Sequence, residues 1–133
     1  MALTVSIAND DLLEEEAQNI YDSYKYITVG TGASLFNSST VQLTTPVEIT
    51  TPNFNKEETT DSYITGRSFV KFFRILSGEP VSQPVNIAEV GLVKTSTNTP
   101  GPGIYANLSV AQTKDNTVQH KWRASLRVNR QGE

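Results

Sequence analysis

The segment Val85-Asn86-Ile87-Ala88-Glu89-Val90-Gly91-Leu92-Val93-Lys94 constrains the fold more than any other stretch of the chain. It is apolar at nearly every position, which in a strand means apolar on both faces. Such a strand belongs in the middle of a sheet whose two sides are covered. Ile87, Glu89, Gly91 and Val93 share one face, whereas Val85, Ala88, Val90 and Leu92 straddle the other imperfectly, an offset that predicts a bulge near Asn86. Glu89 is the odd member of the run, and Gly91 two residues on leaves bare backbone beside it. A buried carboxylate needs donors, either an arginine from a neighbouring strand or backbone amides. No second carboxylate lies at a spacing that points to acid–base catalysis, so Glu89 reads as a structural residue.

At 133 residues the chain is expected to be a single domain, residues 1–133, long enough for a core. Threonine, serine and asparagine are abundant while apolar residues make up only 37%, a balance that suits β-structure with polar outer faces and long loops. There are no cysteines, which excludes disulfides, thiolate metal sites and Cys-His catalysis, and one histidine cannot build a metal cluster. That histidine, His120, is read on the polar side of its strand, facing solvent or an interface. Neither a cofactor nor a metal nor an enzymatic activity is expected.

The formal net charge of −3 argues against general nucleic-acid binding. Residues 1–6 lack a charged start and a long apolar run, and no stretch approaches membrane-spanning length, so a soluble product of a cytoplasm is expected. The charge is unevenly spread. Asp10, Asp11, Glu14, Glu15 and Glu16 cluster early, and Lys121, Arg123 and Arg127 stand near the other end, which marks both groups as candidate interface residues.

Leu3, Val5 and Ile7 alternate with polar or small residues, the pattern of a short strand or an extended arm. Asp11 with Glu14 has the form of a capping box, and Leu13, Ala17, Ile20 and Tyr24 fall on one face, which predicts an amphipathic helix from Asp11 to about Ser23. Residues 1–23 thus form an arm and a helix, and residues 24–133 the β part. Tyr24 to Val29 reads as a strand ended by Gly30-Thr31-Gly32, two glycines that would permit positive φ in a sharp turn. No Gly-Lys-Ser/Thr follows, so phosphate binding is not expected there. From Ala33 to Thr65 the composition predicts a long edge hairpin, with Asn53 to Glu58 an exposed loop. Ser68 to Leu76 is a strong strand broken by Lys71 and Arg74, and Ile104 to Val110 is another. In the closing strand, Val118 to Val128, Trp122, Ala124, Leu126 and Val128 face in while Lys121, Arg123, Ser125 and Arg127 face out. Trp122 is placed in the core between two sheets. About seven strands, one early helix and no βα alternation give a mainly antiparallel β-sandwich with one N-terminal amphipathic helix.

The series Tyr26-Ile27-Thr28-Val29-Gly30-Thr31-Gly32, Val47, Ile87-Ala88-Glu89-Val90-Gly91-Leu92, Ile104-Tyr105-Ala106 and Trp122 to Val128 resembles small tailed-bacteriophage virion proteins of the tail-fibre, tail-collar and baseplate-associated type. The likeness spans roughly Tyr24 to Arg130. It implies a virion structural protein without catalytic residues, in which Glu89 and Gly91 hold structural positions of the central strand. A small Thr-rich sandwich with long edge segments leaves pairing surface to cover, so a homo-oligomer, a trimer being favoured, is expected, packed on other virion proteins, with no nucleic acid and no membrane as partner. The charged helix stands where a plain arm is expected, and no fibre repeats follow, so an adaptor, a collar component or a head decoration protein fits better than a long fibre. A free carbohydrate-binding module is the alternative from another class, and a host-surface glycan the ligand it would imply. The residues lend that ligand no support, since Tyr21, Phe54, Tyr63 and Tyr105 are mostly better explained by packing.

Overall fold

In the computed structural model, which describes residues 9–130, the helix α1 spans Asp10–Ser23. Its cap is Asn9, not Asp11 as the Asp11/Glu14 spacing suggests. Asn9 has an extended backbone, and its side-chain oxygen accepts from the Leu12 amide at 2.9 Å. Asp10 and Asp11 already lie within the first turn, where their charge meets the positive end of the helix dipole. Leu13 and Ala17 are buried, and Ile20, Tyr21 and Tyr24 pack against the core. The alternating segment Leu3 to Ala8 lies outside the described residues.

Among the described residues eight strands follow, in keeping with the about seven expected: β1 (Tyr26–Gly30), β2 (Pro46–Val47), β3 (Lys56–Glu57), β4 (Tyr63–Thr65), β5 (Ser68–Ile75), β6 (Val85–Val93), β7 (Gly103–Lys114) and β8 (His120–Arg127). They form two antiparallel sheets. The first has the order β2-β1-β6-β7, with β3 also on β1, and the second the order β4-β5-β8. The expected long edge hairpin is instead two short strands that share one edge of β1, Pro46 and Val47 opposite Gly30 and Val29, and Lys56 and Glu57 opposite Ile27 and Tyr26. Proline at the start of β2 has no amide to offer a ladder, which suits an edge position. The expected exposed loop at Asn53 to Glu58 is correspondingly tied down. Asn55 is buried, and its side-chain amide donates to the carbonyls of Thr95 and Thr97.

β6 is central, flanked by β1 and β7, as its two-sided apolarity requires. The irregularity falls at Ala88, not Asn86, and its extra residues belong to β7. Ile87 pairs with Gln112 and Glu89 with Asn107, so Leu108 to Ala111 stand opposite Ala88 alone. One apolar cluster draws on both sheets, with Ile27 and Val29 from β1, Phe69, Phe73 and Ile75 from β5, and Ile87 and Leu92 from β6. Each such side chain contributes about 1.5–3 kcal/mol on leaving water.

Candidate functional site

The sequence phrases around Gly30 and Glu89 meet in space. The Glu89 side chain is fully buried, and it accepts hydrogen bonds from the backbone amides of Gly32 at 3.1 Å, Thr44 at 2.9 Å and Thr45 at 2.7 Å. Of the two kinds of donor expected from the sequence, the backbone amide is the one used. The carboxylate thereby ties the segment after β1 and the segment before β2 to the middle of β6. Gly30 and Gly32 do not adopt positive φ, which among the described glycines is confined to Gly66 and Gly78. They are small because the carboxylate needs the room: a Cβ on Gly32 would lie 2.8 Å from Glu89 Oε2 and 2.6 Å from Thr44 Cβ, and one on Gly30 would collide with Glu89 Oε2 and the Thr45 carbonyl. Gly91 is small for a similar reason, since a Cβ there would meet the Tyr105 ring at 2.8 Å. Three convergent N–H groups hold the anion without a cation, and no acid–base partner faces it. This is a pin, and it leaves no atom of Glu89 open to a substrate.

A second buried charge escapes sequence reading. Lys71 lies on the inner face of β5 between Phe69 and Phe73, with no exposed side-chain surface. Its ammonium donates to the Tyr21 carbonyl at 2.6 Å, pairs with Glu58 at 3.0 Å and sits 4.4 Å from the Tyr21 ring centroid. Burial pushes its pKa below the usual lysine value, and the hydrogen bond to Glu58 opposes that shift. The parity of β5 carries the signal, because Lys71 shares its face with Phe69, Phe73 and Ile75. Arg74, the other charge in the run, is on the outer side and meets Asp61 at 3.4 Å.

The open side of the molecule lies between β7 and β8. Each ends the order of its sheet, and neither has a further strand on its outer edge among the described residues. Between them runs an apolar cleft of about 280 Å³, walled by Ile104 and Ala106 on one side and Trp122, Ala124 and Leu126 on the other. Trp122 also lines a second cleft of about 480 Å³, where Leu108, Ser109 and Val110 of the β7 irregularity face Gln119 and His120. The two clefts share the indole as a common wall, and the apolar one is the seam between the sheets.

Trp122 is therefore half-buried at the mouth of the core and not sealed within it, because no strand among the described residues closes the sheets on this side. Its Nε1 is inaccessible and has no hydrogen-bond partner. His120 is not on the polar side either. It has the parity of Trp122, is half-buried, and its ring lies 5.9 Å from the indole. Burial pushes the His120 pKa below its ordinary 6.5, and the nearby Lys114 charge adds to that. Val110 in the β7 irregularity is 69% exposed.

Lys121, Arg123 and Arg127 are exposed on the outward side of β8, with the Lys121 ammonium 4.8 Å from the Phe72 ring centroid. Asp11, Glu14, Glu15 and Glu16 are exposed on α1. The two groups do not meet within one chain. Asp10 reaches Arg130, three residues beyond β8. Among the described residues no group of three or more His, Cys, Asp or Glu stands together as metal ligands would, and no helix is long and apolar enough to cross a membrane. No family model, no curated protein and no solved structure matches the chain.

Proposed function

We propose that this chain is a non-enzymatic assembly protein that works by associating with copies of itself and packing on neighbouring proteins. The particle that best suits it is a tailed-bacteriophage virion, in the tail, collar, baseplate or an adaptor. The observation that carries the reading is the pair of outer edges, β7 and β8, that no strand among the described residues covers, flanking an open apolar seam. Free edges over an apolar groove invite pairing with another chain, and natural proteins cover them. The resemblance of the Gly30-Thr31-Gly32 and Ile87 to Leu92 phrases to phage virion proteins supplies the setting, and the Glu89 pin that unites them gives those residues a structural reason to be there. Sedimentation of the full chain tests this. A homo-oligomer is expected, a trimer being the favoured form, and Ala106→Glu in the seam wall should shift it toward monomer. A chain that stays monomeric at its highest soluble concentration overturns the reading.

A free carbohydrate-binding module is the second reading, and one observation favours it: Trp122 lines the larger cleft together with Gln112, Gln119 and His120, an aromatic ring among amide and imidazole groups. Titration of the chain with oligosaccharides, followed by the emission of its one tryptophan, decides between them.

A further inference from the structure

We propose that the outer face of the β4-β5-β8 sheet receives helix α1 of a second copy. The inference rests on the self-association just proposed and names the two surfaces that meet in it.

The sheet face carries positive charge alone. On β8 the outward side chains are Lys121, Arg123, Ser125 and Arg127, all of them exposed. The register sets Arg74 beside Lys121 and Phe72 beside Arg123, and Tyr63 of β4 stands next to Val70 on the same side. No outward position of the three strands holds a carboxylate. Arg74 is met by Asp61, which precedes β4, whereas Arg123 and Arg127 make no ion pair among the described residues.

Helix α1 carries the opposite charge on its free side. Leu13 and Ala17 are buried and Ile20 packs on the core. The stripe across the helix from them is Asp11, Glu15, Gln18 and Asp22, at i, i+4, i+7 and i+11, and it is exposed from end to end. The two charge patterns have similar spacing. Along the helix Asp11 to Glu15 covers about 6 Å and Glu15 to Asp22 about 10 Å. Along the strand Lys121 to Arg123 covers about 7 Å and Arg123 to Arg127 about 13 Å. The flexible stems of lysine and arginine span the difference. A helix laid along β8 thus brings three carboxylates opposite three bases.

Geometry makes this a contact between copies. The Tyr21 ring packs edge-on against Phe69 at 5.7 Å, and the Tyr21 carbonyl accepts from Lys71, both on the inner face of β5. The helix therefore lies on the inner side of its own sheet with the acidic stripe turned away, while the bases project from the outer side. Surfaces that look in opposite directions pair head to tail, and such a contact closes into a ring, a trimer included, when successive copies are rotated. Two basic faces repel each other, so complementary charge also sets which surfaces meet.

The test reverses one face at a time, with Glu15→Lys and Asp22→Lys on the helix or Arg123→Glu and Arg127→Glu on the sheet. All four side chains are exposed, so the fold should hold, and the urea midpoint of each variant checks it. In sedimentation at low salt each pair should weaken self-association about ten- to hundredfold. All four changes on one chain should restore it, because the two faces are complementary again. If the fourfold chain does not regain the native stoichiometry, the inference is overturned, and if only the sheet reversals weaken assembly, the basic face takes an acidic surface other than α1. If neither pair of reversals changes the stoichiometry, this inference fails while self-association stands, and a native chain that is itself a monomer overturns both.

Discussion

At the residue scale, the buried Glu89 and the half-buried His120 show how differently two polar side chains are treated. Glu89 has three backbone donors for two oxygens, so Glu89→Gln would turn an amide NH₂ toward groups that are themselves donors. Losing charge-assisted bonds and stranding an amide should cost about 2–3 kcal/mol, to be read from the urea midpoint. A Gln variant as stable as the parent would show that the pin contributes little. His120 has no such cage, and its pKa lies below 6.5 because burial and then Lys114 disfavour the imidazolium. As pH falls through 6.5 the unfolded chain takes up the proton before the folded one does, so stability falls until the folded pKa is passed and then levels. It is the only histidine. His120→Gln should therefore flatten the profile of midpoint against pH between about 7.5 and 5.5, and an unchanged slope would assign the loss to carboxylates.

At the scale of elements, β8 is a strand with one finished side and one open one. Its pairing with β5 is regular over the whole length, from Ser68 opposite Arg127 to Ile75 opposite His120. Its other edge meets no strand among the described residues, which leaves Trp122 half-covered. Full burial of tryptophan would make truncation to alanine cost about 3–5 kcal/mol. The observed placement argues for about 1–3 kcal/mol in the isolated chain, measured by denaturant unfolding of a monomeric form such as Ala106→Glu. A loss at the top of the larger range would mean that the seam is closed even without a partner. β5 carries the opposite lesson, since Lys71 occupies an inner-face position that an apolar residue could fill. Its partners, Glu58 and the end of α1 at Tyr21, join helix, loop and sheet at one buried point. Removing one partner of such a pair is far more damaging than replacing both.

At the scale of the molecule, the acidic start of α1 and the basic outer side of β8 remain separate except through Asp10 and Arg130. Reversing Arg123 and Arg127 to glutamate should slow assembly and weaken its dependence on salt, while leaving the melting of the isolated chain nearly unchanged, because exposed pairs contribute only about 0–1 kcal/mol each. Normal assembly of that double variant at low salt would show that the two faces do not meet between copies. Local pattern determined a good deal of this protein: the mainly antiparallel β class, the amphipathic helix, the central place of β6, and the out-facing Lys121, Arg123 and Arg127 all follow from the period of apolar residues, a property of each segment alone. The need of Glu89 for donors was legible too, but their identity was not. Which amides reach it depends on Gly32 and Thr45 arriving beside a strand more than forty residues away. The burial of Lys71, the division of the Thr-rich stretch into β2 and β3, and the half-open position of Trp122 were likewise decided by which strands became neighbours and which edges were left without one. A strand's own sequence records which faces are apolar, and only the assembled sheets decide what stands opposite each face.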